Sequence, residues 1–270
     1  MSRRPSAKLL AVDLDGTLIG RDLTIRPRVL AAAAAVRARG VSGCIVTGRM
    51  FQATLPYARR LEFEQPIICY QGAAIVDPAS DEVLQHLAVD NDLALEISGR
   101  VLEDGMHLQL YANDQFYVQA ENEFSERYAR LSGVRPILVA SLLDEFRFRE
   151  ATKIVVIDHA ERAQAYEHRL QSLFGSRAYI TRSFPEFIEV LNRKVDKGEA
   201  LRFVAGRAGI ERDAVVAIGD SWNDVPLLRA AGFGIAMASS PPELLKIADA
   251  VVGDVAHDGV AEAIEKYVLA

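Results

Sequence analysis

Only two of the 270 residues are cysteine, only one is tryptophan, and no apolar run reaches membrane length. Cys44 and Cys69 lie in apolar, strand-like stretches (GCIVTG and PIICYQG), so the expectation is buried, reduced thiols of a cytosolic protein rather than a disulfide framework. The five histidines are scattered, and none stands at the spacing a tetrahedral zinc site requires. An excess of positive charge is missing too. A net charge of −6 argues against a general binder of nucleic acid or of anionic membranes. There is no internal repeat, and no low-complexity stretch beyond Ala31–Ala35. Ser2 to Lys8 is short and basic, but the apolar run behind it breaks at Asp13, too soon for a signal-peptide core. The first six or so residues are expected to be a loose tail.

What is present suits a soluble globular protein: half the residues are apolar and a quarter charged. The length allows one large or two modest domains with a core that needs no covalent staple. Lys8–Val12 reads as a buried strand, and Pro27, an alanine run, two late arginines and Gly40 mark a helix. VSGCIVTGR is a second strand, Met50–Leu61 a helix, and PIICYQGAAIV a strand pair. This alternation predicts a doubly wound, mostly parallel sheet of the Rossmann-like α/β class. The middle of the chain differs. HLQLYANDQFYVQA is a hairpin around Asn113-Asp114, and further strands come in pairs with helices between them, as in an α+β domain. From Val195 the parallel pattern resumes. The expected organisation is a core formed by 1–83 and 192–270, interrupted by an inserted α+β domain at 84–191.

In such a sheet, ligands bind at the carboxyl ends of the strands where the winding reverses. The strand ends here carry Asp13, Asp15 and Thr17; Thr47, Gly48 and Arg49; and Gly219, Asp220 and Ser221, with Asn223 and Asp224 opening the next helix. Lys197 sits at a helix start, where the helix dipole disfavours a cation unless an anion joins it. Hard oxygen ligands beside one lysine favour Mg²⁺ and a phosphoryl group. With an anionic phosphoryl group held there, Asp13 at the strand tip can attack phosphorus, and Asp15 can serve as acid and then base. Trp222 is expected to pack at the helix start.

DLDGTL, TGR, the lysine of VDKGEAL and GDSWND, in that order, resemble the haloacid dehalogenase-like hydrolase superfamily, and the large insertion between the second and third motifs resembles its Cof-type phosphatases. The resemblance covers nearly the whole chain. It implies a Mg²⁺-dependent phosphatase acting on a small phosphomonoester through an aspartyl-phosphate. Asp13 would be nucleophile and metal ligand, and Asp15 the acid/base and a metal ligand through its carbonyl. Asp220 would bind metal, with Asp224 supporting it directly or through water. Thr47, Gly48, Lys197 and Asn223 would hold phosphoryl oxygens. The insertion would be a mobile cap that reads the leaving group, with Arg182, Glu186, Tyr111 and Tyr117 as candidates. The alternatives are a phosphomutase of the phosphomannomutase type and a catalytically inactive ligand-binding relative. Two loops depart from the family pattern: Gln71-Gly72 stands where Asn-Gly is usual, and Ala238-Ser239-Ser240 where Gly-Asn-Ala is usual.

Overall fold

Leu9, Leu10, Ala11 and Val12 are all fully buried, so the first strand is covered on both faces, as a parallel sheet sandwiched by helices requires. Each of the leucine and valine side chains contributes about 1.5–3 kcal/mol by leaving water. The computed structural model describes residues 6–269, and most of the expected loose tail lies outside them. The chain runs β1 (Leu9–Asp13), α1 (Pro27–Ala38), β2 (Ser42–Val46), α2 (Phe51–Leu61), β3 (Ile67–Cys69), β4 (Ala74–Val76) and β5 (Val83–His86). There follow α3 (Asn91–Glu103), β6 (His107–Ala112), β7 (Gln115–Val118), α4 (Glu123–Ser132), β8 (Ile137–Leu138), α5 (Leu142–Glu145), β9 (Lys153–Ile157), α6 (Ala160–Phe174), β10 (Ala178–Phe184) and β11 (Phe187–Asn192). The last part is α7 (Lys197–Arg207), β12 (Val215–Gly219), α8 (Val225–Ala230), β13 (Phe233–Met237), α9 (Pro242–Ile247), β14 (Ala250–Val252) and α10 (Gly259–Ala263).

Two compact units emerge. The first comprises the chain up to Thr47, Thr54–Leu84, and everything from Asp196 on; the second comprises Gly48–Ala53 and Gln85–Val195. The sheet of the first unit has the order β14-β13-β12-β1-β2-β3-β4-β5. Its pairs from β14 to β3 are parallel, and β4 runs antiparallel to β3. From β1 the chain first winds outward through β2 and β3, then returns to β12 on the other side and winds outward again through β13 and β14. β1 and β12 are therefore the switch point, and the crevice opens at their carboxyl ends, where Asp13 and Asp220 stand. Leu9, Ala11, Cys44, Val46, Val204, Ala217 and Leu227 share a core on one side of this sheet. Both cysteines are buried and neither is in a disulfide, and burial pushes the Cys44 thiol up to about 12, so it is inert at neutral pH.

The second unit is built on the sheet β10-β11-β9-β6-β7-β8, antiparallel except where β7 meets β8. One face buries Leu110, Ile154 and Val156 against Leu93, Ile97 and Val101 of α3 and Leu170 of α6. Beyond that core, Tyr128 of α4 stacks edge-on to Tyr111 and Phe116, and Lys153 pairs with Glu189 at 3.3 Å. The β6–β7 turn takes positive φ at Asn113 and Asp114, the two-residue geometry that matches strand twist.

Candidate active site

Asp13 ends β1, and an apolar strand interior leaves the residue 5% exposed. Lys197 is the first residue of α7, whose N-cap Asp196 accepts from the amides of Gly198 and Glu199. That cap fixes the helix start and sends the lysine inward. Lys197 Nζ donates to Asp13 Oδ1 at 2.7 Å and to Asp224 Oδ1 at 2.6 Å, and all three groups are buried. Asp224 is held on its other side, where Oδ2 accepts from the amides of Asp220 and Ser221 at 3.0 and 3.1 Å. Asp220 follows β12 and accepts from the Thr17 hydroxyl at 2.8 Å. Asp13, Asp220 and Asp224 each place one carboxylate oxygen within 4.8 Å of the others.

Gly16 permits this approach. Its φ is +85°, and a β-carbon there would overlap the Asp220 carboxylate. Gly16→Ala is expected to lower stability by about 1–2 kcal/mol through the backbone alone. It should also displace Asp220. Thermal denaturation measures the first effect, and Mg²⁺ titration followed by the fluorescence of the single tryptophan measures the second.

The electrostatics are those of a cluster short of positive charge. Burial, the Asp224 charge and Asp220 hold the Asp13 carboxyl well above the usual carboxylate range, although Lys197 pulls the other way. Burial and Asp224 push Asp220 up to about 7, against the Thr17 hydrogen bond and Lys197. For Lys197, burial disfavours the charged form, but Asp13 and Asp224 outweigh it and hold the ammonium above its ordinary range. Three carboxylates against one ammonium leave a formal −2. A hard oxygen donor set with that deficit fits a divalent cation such as Mg²⁺.

The other residues singled out by sequence fall in different places. Asp15 is half-buried in the turn after β1 and bridges to Ile19. Thr47 is buried at the end of β2, and its backbone is tied on both sides, N–H to Ile68 and carbonyl to the Gln71 amide. Asn223 Nδ2 donates to Gln71 Oε1 at 3.0 Å. Gly48 groups with the second unit, where its carbonyl accepts from Lys153 Nζ at 3.1 Å. In that unit Tyr111 donates to Gln109, Tyr117 lies in the core facing α3, Arg182 pairs with Glu167 and Glu186 with Arg127. Trp222 does not pack as expected. It begins a short tight turn, Trp222–Asp224, and is 67% exposed, because that turn points it to solvent before α8 starts. Sequence reasoning placed Thr17 at the strand end and Gln71-Gly72 in a loop that departs from the family pattern, but gave neither side chain a role; Thr17 bonds Asp220 and Gln71 bonds Asn223.

The haloacid dehalogenase-like hydrolase profile matches residues 10–264. A phosphoglycolate phosphatase of Methanopyrus kandleri is 30% identical over 96% of this chain and 96% of its own length. A pyridoxal phosphate phosphatase of Escherichia coli is 26% identical over 98% and 100%. The crystal structure of a haloacid dehalogenase-like hydrolase from Bacteroides thetaiotaomicron superimposes with a TM-score of 0.88 at 25% identity, covering 96% of this chain and 99% of that one.

Proposed function

Since this chain belongs to the haloacid dehalogenase-like hydrolases and is a phosphoric monoester hydrolase, we propose that it hydrolyses a small phosphorylated metabolite, a sugar phosphate or phosphorylated cofactor, with Mg²⁺ and an aspartyl-phosphate on Asp13. The observation that carries this reading is the Lys197 ammonium, bridging Asp13 at 2.7 Å and Asp224 at 2.6 Å. An ammonium has three hydrogens, and two are committed to carboxylates. The third is left for a phosphoryl oxygen. Lys197 holds Asp13 Oδ1, so Oδ2 is the oxygen that attacks phosphorus in line. As the bond from phosphorus to the leaving oxygen breaks, Asp15 gives that oxygen a proton. Asp15 then takes a proton from a water, which attacks phosphorus, frees inorganic phosphate and restores the Asp13 carboxylate. Thr47, Gly48, Lys197 and Asn223 are assigned the phosphoryl oxygens.

The side chains of Asp13 and Asp220 and the carbonyl of Asp15 would hold Mg²⁺. Asp224 has less to give directly, because Lys197 takes one oxygen and two amides take the other. When bound, the ion neutralises charge on the phosphoryl oxygens. The test is a panel of phosphomonoesters with Mg²⁺, beginning with p-nitrophenyl phosphate. Free phosphate is expected. No release from any of them overturns the reading, and conversion of a sugar 1-phosphate to its 6-phosphate without free phosphate would mark a mutase instead.

A pH dependence follows from the same cluster. Asp13 and Asp220 have folded-state pKa values raised above 3.8, Asp220 to about 7. Their contribution to metal-free stability is therefore fully present below about 3.8 and is lost as pH rises through the raised values. Metal-free protein should lose several degrees of melting temperature between pH 5.5 and pH 8 through these groups. Mg²⁺ competes with protons for the same oxygens, so its stabilisation should be larger at pH 8 than at pH 5.5. Melting curves with EDTA or Mg²⁺ at both pH values check both signs.

A further inference from the structure

The segment Tyr70-Gln71-Gly72 after β3 has positive φ at three successive residues, 50°, 61° and 102°. Only the last is glycine. The left-handed region is costly for a side chain with a β-carbon, and strain of this kind persists only where the surroundings over-determine it. The surroundings here are the motif residues themselves. The Gln71 amide donates to the Thr47 carbonyl at 2.9 Å. The Gln71 side-chain oxygen accepts from Asn223 Nδ2 at 3.0 Å. Gly72 lies so close to the Asp196 carbonyl that a β-carbon would stand 2.8 Å from it, and Asp196 caps the helix that begins with Lys197. One strained turn thus touches three separate elements of the proposed phosphoryl site. Gln71 itself is 2% exposed, too deep for a side chain kept only for solubility.

Asn223 is the element with the fewest other restraints. Among the described residues, its Oδ1 is buried without a hydrogen-bond partner, so the bond to Gln71 is what fixes the rotation of its amide. One Nδ2 hydrogen is spent on Gln71, and the fork geometry of the amide then sets the direction of the second. We propose that Gln71 is a positioning residue for phosphoryl binding: its side-chain oxygen aims the Asn223 amide, while its strained backbone ties Thr47 to the same turn. This rests on the phosphatase reading of the site, and it deepens it.

The test is a double-mutant cycle built on Gln71→Gly. Glycine keeps the amide that bonds Thr47 and adopts positive φ without strain, so the fold is retained and only the side chain is lost. Gln71→Gly and Asn223→Ala are each expected to lower kcat/KM for p-nitrophenyl phosphate by about 10- to 100-fold, the usual range for a partner that orients a ligand-binding side chain. Each should also weaken competitive inhibition by inorganic phosphate. The double variant should be within about twofold of Asn223→Ala, because a residue that acts through another has nothing left to act on. Wild-type kinetics in Gln71→Gly overturn the proposal, as do single effects that multiply in the double variant. Protection from heat by inorganic phosphate with Mg²⁺ reads the same coupling without turnover. If the wild type turns over no substrate, the phosphatase reading fails, and the protection cycle still decides this inference. If the wild type turns over substrate but phosphate does not protect it, the phosphatase reading stands and the kinetic cycle alone decides this inference; if it neither turns over substrate nor gains protection, both fall.

Discussion

Asp13→Asn should abolish phosphate release, by about four orders of magnitude or more, and at the same time make the metal-free protein no less stable at pH 8. On the proposed mechanism the first effect is loss of the nucleophile, since an amide oxygen does not form the acyl phosphate; removing a nucleophile in this way typically costs about 10⁴–10⁶ in kcat. The second follows from the cluster. Burial, Asp224 and Asp220 all disfavour the Asp13 charge. Asparagine has the same shape and no charge, and its Oδ1 can still accept from Lys197, which retains Asp224 as a counter-ion. The melting temperature in EDTA should therefore hold or rise. Stabilisation by Mg²⁺ should shrink, because one of three clustered carboxylates is gone. Activity and stability moving in opposite directions is the signature of a residue kept for chemistry against its folding cost. A variant that loses stability and activity together would mean that Asp13 serves chiefly as a structural partner of Lys197.

Much of this arrangement was legible in the sequence because it rests on strong local signals. An apolar run that ends in an acidic residue marks a strand tip, and two such tips, Asp13 and Asp220, lie on the neighbouring strands β1 and β12 where the winding reverses. The helix over 50–61 was readable even though it contains Pro56, because its apolar spacing continues through the proline. What escaped were features with no local signature. The short pieces β5, β8 and α5 are too brief for periodicity to register. Trp222 looked like a packing residue by its chemistry, and its exposure depends on a three-residue turn that no pattern announces. Gln71 takes a conformation that its own type disfavours, and that choice is imposed by Thr47, Asn223 and Asp196, which lie far away in the chain. Places where local preference is overridden in this way are where function concentrates.

Lys197→Met should remove activity and stability together, and its pH dependence separates the two causes. The ammonium is the one cation bonded to both Asp13 and Asp224 among the described residues. Removing one partner of a buried ion pair costs about 3–5 kcal/mol, because the other charges stay buried without it. On the proposed mechanism, loss of a donor to the phosphoryl oxygens adds about 10²–10³ in kcat. In the wild type, the folded-state pKa of Lys197 is raised above 10.5, so its contribution is fully present below 10.5 and is lost only as pH rises past the raised value. Across pH 5 to 9 the wild type keeps all of it. The variant has carboxylates alone, and protonating them relieves the repulsion. Its deficit in melting temperature should accordingly be largest at pH 8 and shrink towards pH 5. Adding Asp224→Asn to Lys197→Met removes a second buried charge, so much of the lost stability should return while activity does not. Denaturation of the single and double variants at both pH values measures this. A deficit that is the same at pH 5 and pH 8, and that Asp224→Asn leaves untouched, would mean that Lys197 stabilises the fold by packing its methylene chain rather than through its charge.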